Sequence, residues 1–322
     1  MTRTTSLAAS LLSLSAAALL ALTTAGGAAA APSVSGDKEQ PSVASVAVDS
    51  TGAAEYWTAD RMRNAIPGDV LAGKALERGN TSSAASVQKG ANTKVNGGKK
   101  KTTIAVNENP IDHVGKVFFT MAGGNYVCSG NAVVSANKST VATAGHCLNE
   151  GPGAFATNFI FVPAYLNGTE PYGKWTARAY YAPTQWRDAG DMQYDTGFAV
   201  MNTLNGNYLS DVVNESGVEF NAAYGLTYKS YGYPAARPFN GATLWSCAGT
   251  ASPDTNNSGF ETQGIPCDMT GGSSGGPWFI QSGSAAGLQN SINSYGYSGS
   301  PVMYGPYWGT VIQQTYASAA AS

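Results

Sequence analysis

Gly271-Gly272-Ser273-Ser274-Gly275-Gly276-Pro277, followed by the apolar run Trp278 to Ile280, joins a turn of small residues to a short β-rich segment. Glycine reaches positive φ without steric cost and lets another backbone come close. With Ser274 as nucleophile, such a turn can aim the amides of Gly272 and Ser274 at one point. A carbonyl oxygen that turns negative in a tetrahedral intermediate would be held there. Ser273 is the rival nucleophile, but it lacks a glycine immediately after it. A merely flexible Gly/Ser turn is the alternative in a chain with 39 glycines.

The surrounding sequence repeats the β-rich pattern. Val117-Phe118-Phe119, Val133-Val134, Phe159 to Val162 and Phe198 to Met201 are short apolar runs separated by Gly, Asn, Pro and Ser. They read as strands of an all-β domain. No long amphipathic helix interrupts them, which disfavours a βαβ architecture, and only the tail from Trp308 to Ala319 reads as a helix. Residues 102–322 have the length of two packed barrels, divided near 205. No fixed-period repeat points to a propeller or solenoid.

Upstream, Thr143-Ala144-Gly145-His146-Cys147 follows the β-branched run Ser139-Thr140-Val141, and Cys128 precedes Cys147. A disulfide there would pin the backbone beside the imidazole, as a general base needs. The alternative is a loop histidine beside a structural cysteine. Asp188, Asp191 and Asp195 compete to orient that imidazole. Asp195 is preferred because it directly precedes the apolar run Thr196 to Met201, at the entrance of a buried strand. Asp188 and Asp191 fall in a polar loop. His113 reads as a surface or packing residue.

Composition narrows the function classes. Of 322 residues, 43% are hydrophobic and 12% charged, with a formal net charge of -2, which suits a globular chain. Lys and Arg are scattered except at Lys99 to Lys101, so no basic stripe invites nucleic acid. Residues 1–30 combine Arg3, an apolar stretch from Leu7 to Leu22 and the run Ala28-Ala29-Ala30. They read as a secretory signal peptide rather than a membrane anchor, and no later segment is apolar enough to span a bilayer. The expectation is a secreted, extracellular monomer, free of the membrane once the signal is removed.

Cys128, Cys147, Cys247 and Cys267 make an even number in an exported chain, so two local disulfides, Cys128 with Cys147 and Cys247 with Cys267, are expected. No Cys-x-x-Cys spacing and only two histidines argue against a metal site. Residues 31–101, rich in Ala, Ser, Gly and Asn, read as a largely irregular pro-segment or linker, cut near the lysines. Within it, Tyr56 to Leu76 holds a short helix candidate, with Thr58 as N-cap and Met62, Ala65 and Ile66 on one face until Pro67.

Together these features resemble the chymotrypsin-like serine peptidase family. Thr143 to Cys147 is similar to its histidine motif, and Gly272-Ser273-Ser274-Gly275-Gly276-Pro277 to its serine motif. Asp195 lies between them in the family order His, Asp, Ser. The resemblance covers roughly Val114 to Tyr316 and implies two six-stranded antiparallel barrels with the site between them. It also implies a catalytic triad of His146, Asp195 and Ser274, no cofactor, and protein or peptide substrates. Ser294-Tyr295-Gly296 resembles the segment that pairs with substrate. Ser273 replaces the family's usual aspartate and no Ile-Val-Gly-Gly start is present, so the usual zymogen switch is not expected. Gly232-Tyr233-Pro234 and Asp268 to Gly272 resemble the bacterial glutamyl-endopeptidase branch. Asn293 stands where that branch has a substrate-binding histidine, and Asp268 stands where trypsin-like relatives carry the acid that selects basic side chains. The rival outside enzymes is a catalytically silent member of the fold acting in binding or adhesion. An esterase of the α/β-hydrolase type would need the opposite residue order.

Overall fold

The computed structural model describes residues 42–82, 104–284 and 286–322. The signal peptide and the cleavage site expected near the lysines lie outside the described residues. Among residues 42–82 run β1 (Val43–Ala47), α1 (Ala53–Tyr56), α2 (Ala59–Arg63), β2 (Ile66–Pro67) and α3 (Asp69–Ser82). This stretch was expected to be largely irregular. Thr58 does cap a helix, accepting from Arg61 N, but that helix ends at Arg63, and Pro67 separates it from α3.

The two-residue β3 (Val106–Asn107) precedes a barrel built from β4 (Val114–Met121), β5 (Gly124–Val133), β6 (Thr140–Thr143), β7 (Thr157–Pro163), β8 (Trp175–Pro183) and β9 (Gly197–Met201). Its strand order is β8-β7-β4-β5-β6-β9, and a β8–β9 pairing closes the ring. Strand β4 explains why its sequence reads as an unbroken apolar run instead of an alternation. Val117, Phe119 and Met121 point into the barrel core with Phe159, Phe161 and Phe198. Val114 and Phe118 point outward into a second cluster with Ile160, Tyr165 and, from the N-terminal segment, Trp57 and Met62. Both pleat faces are therefore dry.

The second half contains β10 (Thr227–Gly232), β11 (Trp245–Thr250), the short β12 (Ser252–Pro253), β13 (Gln263–Pro266), β14 (Pro277–Ile280), β15 (Gln289–Ile292) and β16 (Val302–Gly305). These divide into a sheet ordered β15-β14-β10-β11-β3 and a smaller one ordered β12-β13-β16. Tyr228, Ile265, Trp278 and Met303 share one core, and the Cys247–Cys267 disulfide ties the two sheets together. This is the double-barrel fold of the chymotrypsin type, with its second half divided between two sheets. Three further helices follow in chain order: α4 (Thr184–Ala189), α5 (Leu209–Val213) and α6 (Thr310–Ala320). The last is the helix expected in the tail. It packs back on the first barrel, where Ile312 and Ala319 join the core.

Candidate active site

His146 sits on a 3-10 turn, Gly145–Cys147, directly after β6. Two constraints hold that turn. The Cys128–Cys147 disulfide ties it to β5, and Gly145 packs so tightly on Trp186 that a Cβ would lie 2.8 Å from the indole. Asp195 follows a second 3-10 turn, Met192–Tyr194, and enters β9, which pairs with β6. That pairing brings the carboxylate to the imidazole. Asp195 Oδ1 accepts from His146 N at 2.8 Å, and Oδ2 lies 2.8 Å from His146 Nδ1. Ser294 Oγ donates to the same Oδ2 at 2.5 Å. Both His146 and Asp195 are fully buried. With Nδ1–H directed at the carboxylate, Nε2 keeps its lone pair, and it has no hydrogen-bond partner among the described residues.

Ser274 arrives from the other half of the molecule. Its carbonyl accepts from Ser129 N at 2.7 Å, and Gly275, at φ +80°, lies so close to the first barrel that a Cβ would sit 2.2 Å from Thr143 Oγ1. These contacts bring residues 274–275 alongside β6 and the turn that carries His146. Ser129 Oγ adds a second clamp, donating to Gly272 O and accepting from Tyr233 N, both at 2.9 Å. The Gly271 carbonyl accepts from Ala235 N and Ala236 N, which leaves the following amide free. The amides of Gly272 and Ser274 donate to no described residue.

Asn293 does not face a substrate space. It is fully buried; its amide nitrogen donates to Tyr231 O at 2.8 Å and Ser273 O at 3.0 Å, while its oxygen accepts from Trp278 Nε1 at 2.7 Å. The side chain is a brace for the serine turn. Asp268 lines the cavity beside Ser274, but its two oxygens already accept the amides of Ile104 and Ala105 at 3.0 and 2.7 Å. The carboxylate is thus held by the start of the barrel domain rather than left bare for a basic side chain. Ser294, Tyr295 and Gly296 line the same cavity, about 480 Å³ in volume. Tyr295 is fixed by its hydroxyl, which donates to Asp254 Oδ2 at 2.8 Å, and burial drives its phenol strongly upward in pKa. Asp188 is paired with Arg187 and Asp191 caps its own turn, so neither joins the site. His113 packs against Phe279 and meets Asn131 through Nδ1.

Sequence reading missed three contributors. Ser129 acts across 143 positions of chain, Trp186 acts through ring packing, and Asp69 of the N-terminal segment reaches the serine loop. Only a Ser-Gly pair in β5 and a Gly before His146 hinted at the first two. Among the described residues, Cys128, His146 and Cys147 make a cluster with metal-ligand spacing. Both sulfurs are consumed by the disulfide and offer no thiolate.

No family model matches this chain. Among curated proteins it is 32% identical over 148 residues to the glutamyl endopeptidase of Bacillus licheniformis, covering 45% of this chain and 43% of that protein. It is 30% identical over 125 residues to an extracellular metalloprotease of Bacillus subtilis, covering 38% and 37%. The matches thus span less than half the length of these curated relatives. Among solved structures, the protease Anisep from Arthrobacter nicotinovorans is 72% identical with a TM-score of 0.66, covering 68% of this chain and all of Anisep. The thermostable serine protease AL20 from an extremophilic microorganism is 51% identical with a TM-score of 0.62, covering 66% of this chain and 98% of AL20. A Glu endopeptidase structure at 18% identity and TM-score 0.56 shares the fold. Likeness over the full length of Anisep, on the double-barrel fold just described, places this chain in the chymotrypsin-like serine protease family.

Proposed function

We propose that the protein is a secreted serine endopeptidase that cleaves peptide bonds through an acyl-enzyme on Ser274. The observation that carries this reading is the buried Asp195–His146 pair, whose Nε2 is unpartnered beside the turn that holds Ser274. In the first step the Ser274 hydroxyl oxygen bonds to the peptide carbonyl carbon while its proton passes to His146 Nε2. The carbonyl oxygen takes the negative charge and meets the free amides of Gly272 and Ser274. The imidazolium then protonates the departing amine as the C–N bond breaks, leaving an ester. Water repeats the sequence through the same base and releases the acid. Asp195 acts by holding the tautomer and by balancing the imidazolium charge.

Secretion is supported by the apolar N-terminal stretch and by two disulfides, which persist in oxidising compartments. The test is active-site labelling with a fluorophosphonate on protein whose N-terminal segment has been removed, read by mass spectrometry. A single adduct on Ser274, absent from Ser274→Ala together with casein hydrolysis, is expected. Full labelling and hydrolysis by Ser274→Ala would overturn the assignment. An unlabelled wild-type protein that still binds peptides would favour the silent binding protein.

A further inference from the structure

Residues 42–82 cross the cleft and never lie in it as a substrate would. Strand β1 pairs antiparallel with Ala179–Pro183 and extends the first barrel. Trp57 is fully buried, packs on Phe118 with ring centroids 5.3 Å apart, and donates from Nε1 to Asn158 O at 2.5 Å. The chain then runs parallel to Tyr126–Val127, where Gly68 N donates to Val127 O at 2.9 Å. Gly68 lies so close to the Cys128 sulfur that a Cβ would sit 2.5 Å from it. At this point, beside the disulfide that pins His146, α3 begins.

Helix α3 forms the lid of the cavity. Asp69 abuts Gly271 so closely that a Cβ there would meet its carboxylate. Leu71 enters the barrel core, while Ala72 and Ala75 pack with Trp186, Tyr295 and Tyr304. Ala72, Gly73 and Leu76 line the cavity opposite Ser274 and Ser294. Arg78 ties the helix to the loop after the histidine turn by donating to Glu150 O and Gly151 O. With the segment in place Ser274 is 4% exposed. A peptide to be cut must be extended, with a carbonyl carbon at the serine. Helical residues commit their amides and carbonyls to one another, so α3 covers the cleft without offering a bond to cleave.

We propose that residues 42–82 are a built-in inhibitor of the protease cleft, which acts both within the chain and as a separate polypeptide. This rests on the proposed function for the nature of what is blocked. Among the described residues the anchors of the segment run from Ser42 to Arg78, so cutting the chain between 83 and 103 breaks the tether and leaves these contacts in place. Processing near Lys99 to Lys101 is therefore insufficient for activity, and the severed segment must also dissociate or be destroyed.

The experiment uses the full chain with Asn96 to Lys101 replaced by the recognition sequence of an unrelated site-specific protease. Fluorophosphonate labelling is timed on the uncut chain, on the nicked chain, and on the nicked chain after gel filtration in mild urea has removed residues 42–82. The uncut and freshly nicked forms should label on the order of a hundredfold more slowly than the separated form. A synthetic peptide of residues 42–82 should restore the block, and its Trp57→Ala version should be on the order of a hundredfold weaker, as expected for truncating a fully buried tryptophan. Equal labelling of uncut and separated forms, or no effect of added peptide, would overturn the inference and leave the protease reading standing. If the separated form labels in no preparation, the protease reading falls instead. Calorimetric binding of the peptide to that form then decides the docking by itself, and absence of binding overturns it.

Discussion

Lys116 lies on β4 with 4% of its surface exposed, and replacing it by methionine should stabilise the fold in a pH-dependent way. Its ammonium donates to Gly241 O at 2.8 Å and has no carboxylate in contact among the described residues. Burial pulls its pKa from 10.5 down to about 7. In the unfolded chain the amine holds its proton up to the higher value, so the folded state loses stability as pH falls through that window. The full penalty is present below about pH 7 and vanishes above about 10.5. A difference of about 3.5 units at ~1.4 kcal/mol each caps it at about 5 kcal/mol. The Tyr165 and Phe118 rings, whose centroids lie 4.5 and 5.0 Å from Nζ, favour the charged form and oppose the desolvation, so about 2–3 kcal/mol is the expected net. Methionine fills similar volume but leaves Gly241 O without its donor, a loss of about 1 kcal/mol at every pH. Urea unfolding at pH 6, 8 and 10, in a Ser274→Ala background to prevent self-digestion, should show Lys116→Met more stable by about 1–2 kcal/mol at pH 6 and equal or weaker at pH 10. A difference that does not change with pH, or a variant destabilised at pH 6, would refute the reasoning. It would mean that the rings and the carbonyl fully compensate the buried charge.

Three further outcomes follow from the site and its lid. Ser294→Ala removes one hydrogen bond to a buried carboxylate, worth about 1.5–3 kcal/mol, and should lower kcat about 10- to 100-fold with KM little changed, as steady-state peptide hydrolysis would show. An unaltered kcat would mean Asp195 is oriented by His146 alone. Replacing both Cys247 and Cys267 by serine opens a loop of 20 residues and should cost about 3 kcal/mol in urea unfolding, since that bond joins the two sheets of the second half. Desolvation against the serine loop raises the Asp69 carboxyl despite the opposing pull of His146 and of the Asp69 and Val70 amides. Docking therefore takes up a proton, is strongest below the free value of 3.8, and weakens as pH rises through the docked one. Calorimetry of the 42–82 peptide between pH 3.5 and 7 should show that decline, and Asp69→Asn should flatten it.

What could be read from the chain was whatever a short stretch of backbone dictates by itself. The serine turn needs Gly272 at φ +96° and Gly275 at φ +80°, and a requirement for glycine is visible in any sequence. The histidine turn carries a cysteine next to its base, and the strand runs carry their own periodicity. Asp195 was harder, because three acids lay close together and only the apolar run behind it set it apart. Asn293 and Asp268 were placed by resemblance in a substrate role. Tertiary contacts give the first a bracing role and occupy the second with two amides, neither of which any local pattern records. Ser129 belongs to the same class: its position on β5 follows from strand pairing, and its partners are 104 and 143 residues away.

The N-terminal segment shows why the rest was illegible. A helix that must lie close to a catalytic floor uses small residues on its inner face, and the buried Ala72 and Ala75 give no stripe of large apolar side chains. Its stability comes from the partner surface, so the same composition that suits a flexible linker also suits a closely seated lid. The complementary sign lies in the barrel. Phe118 points outward from β4, packs on Trp57 of the segment with ring centroids 5.3 Å apart, and is fully buried. An outward apolar face on a barrel strand demands a cover, and in this chain Trp57 and Met62 supply part of it, beside Tyr165, Tyr233, Leu244 and Phe279. Removing the segment takes Trp57 off Phe118 as α3 leaves the serine, so activation and surface hydrophobicity should rise together.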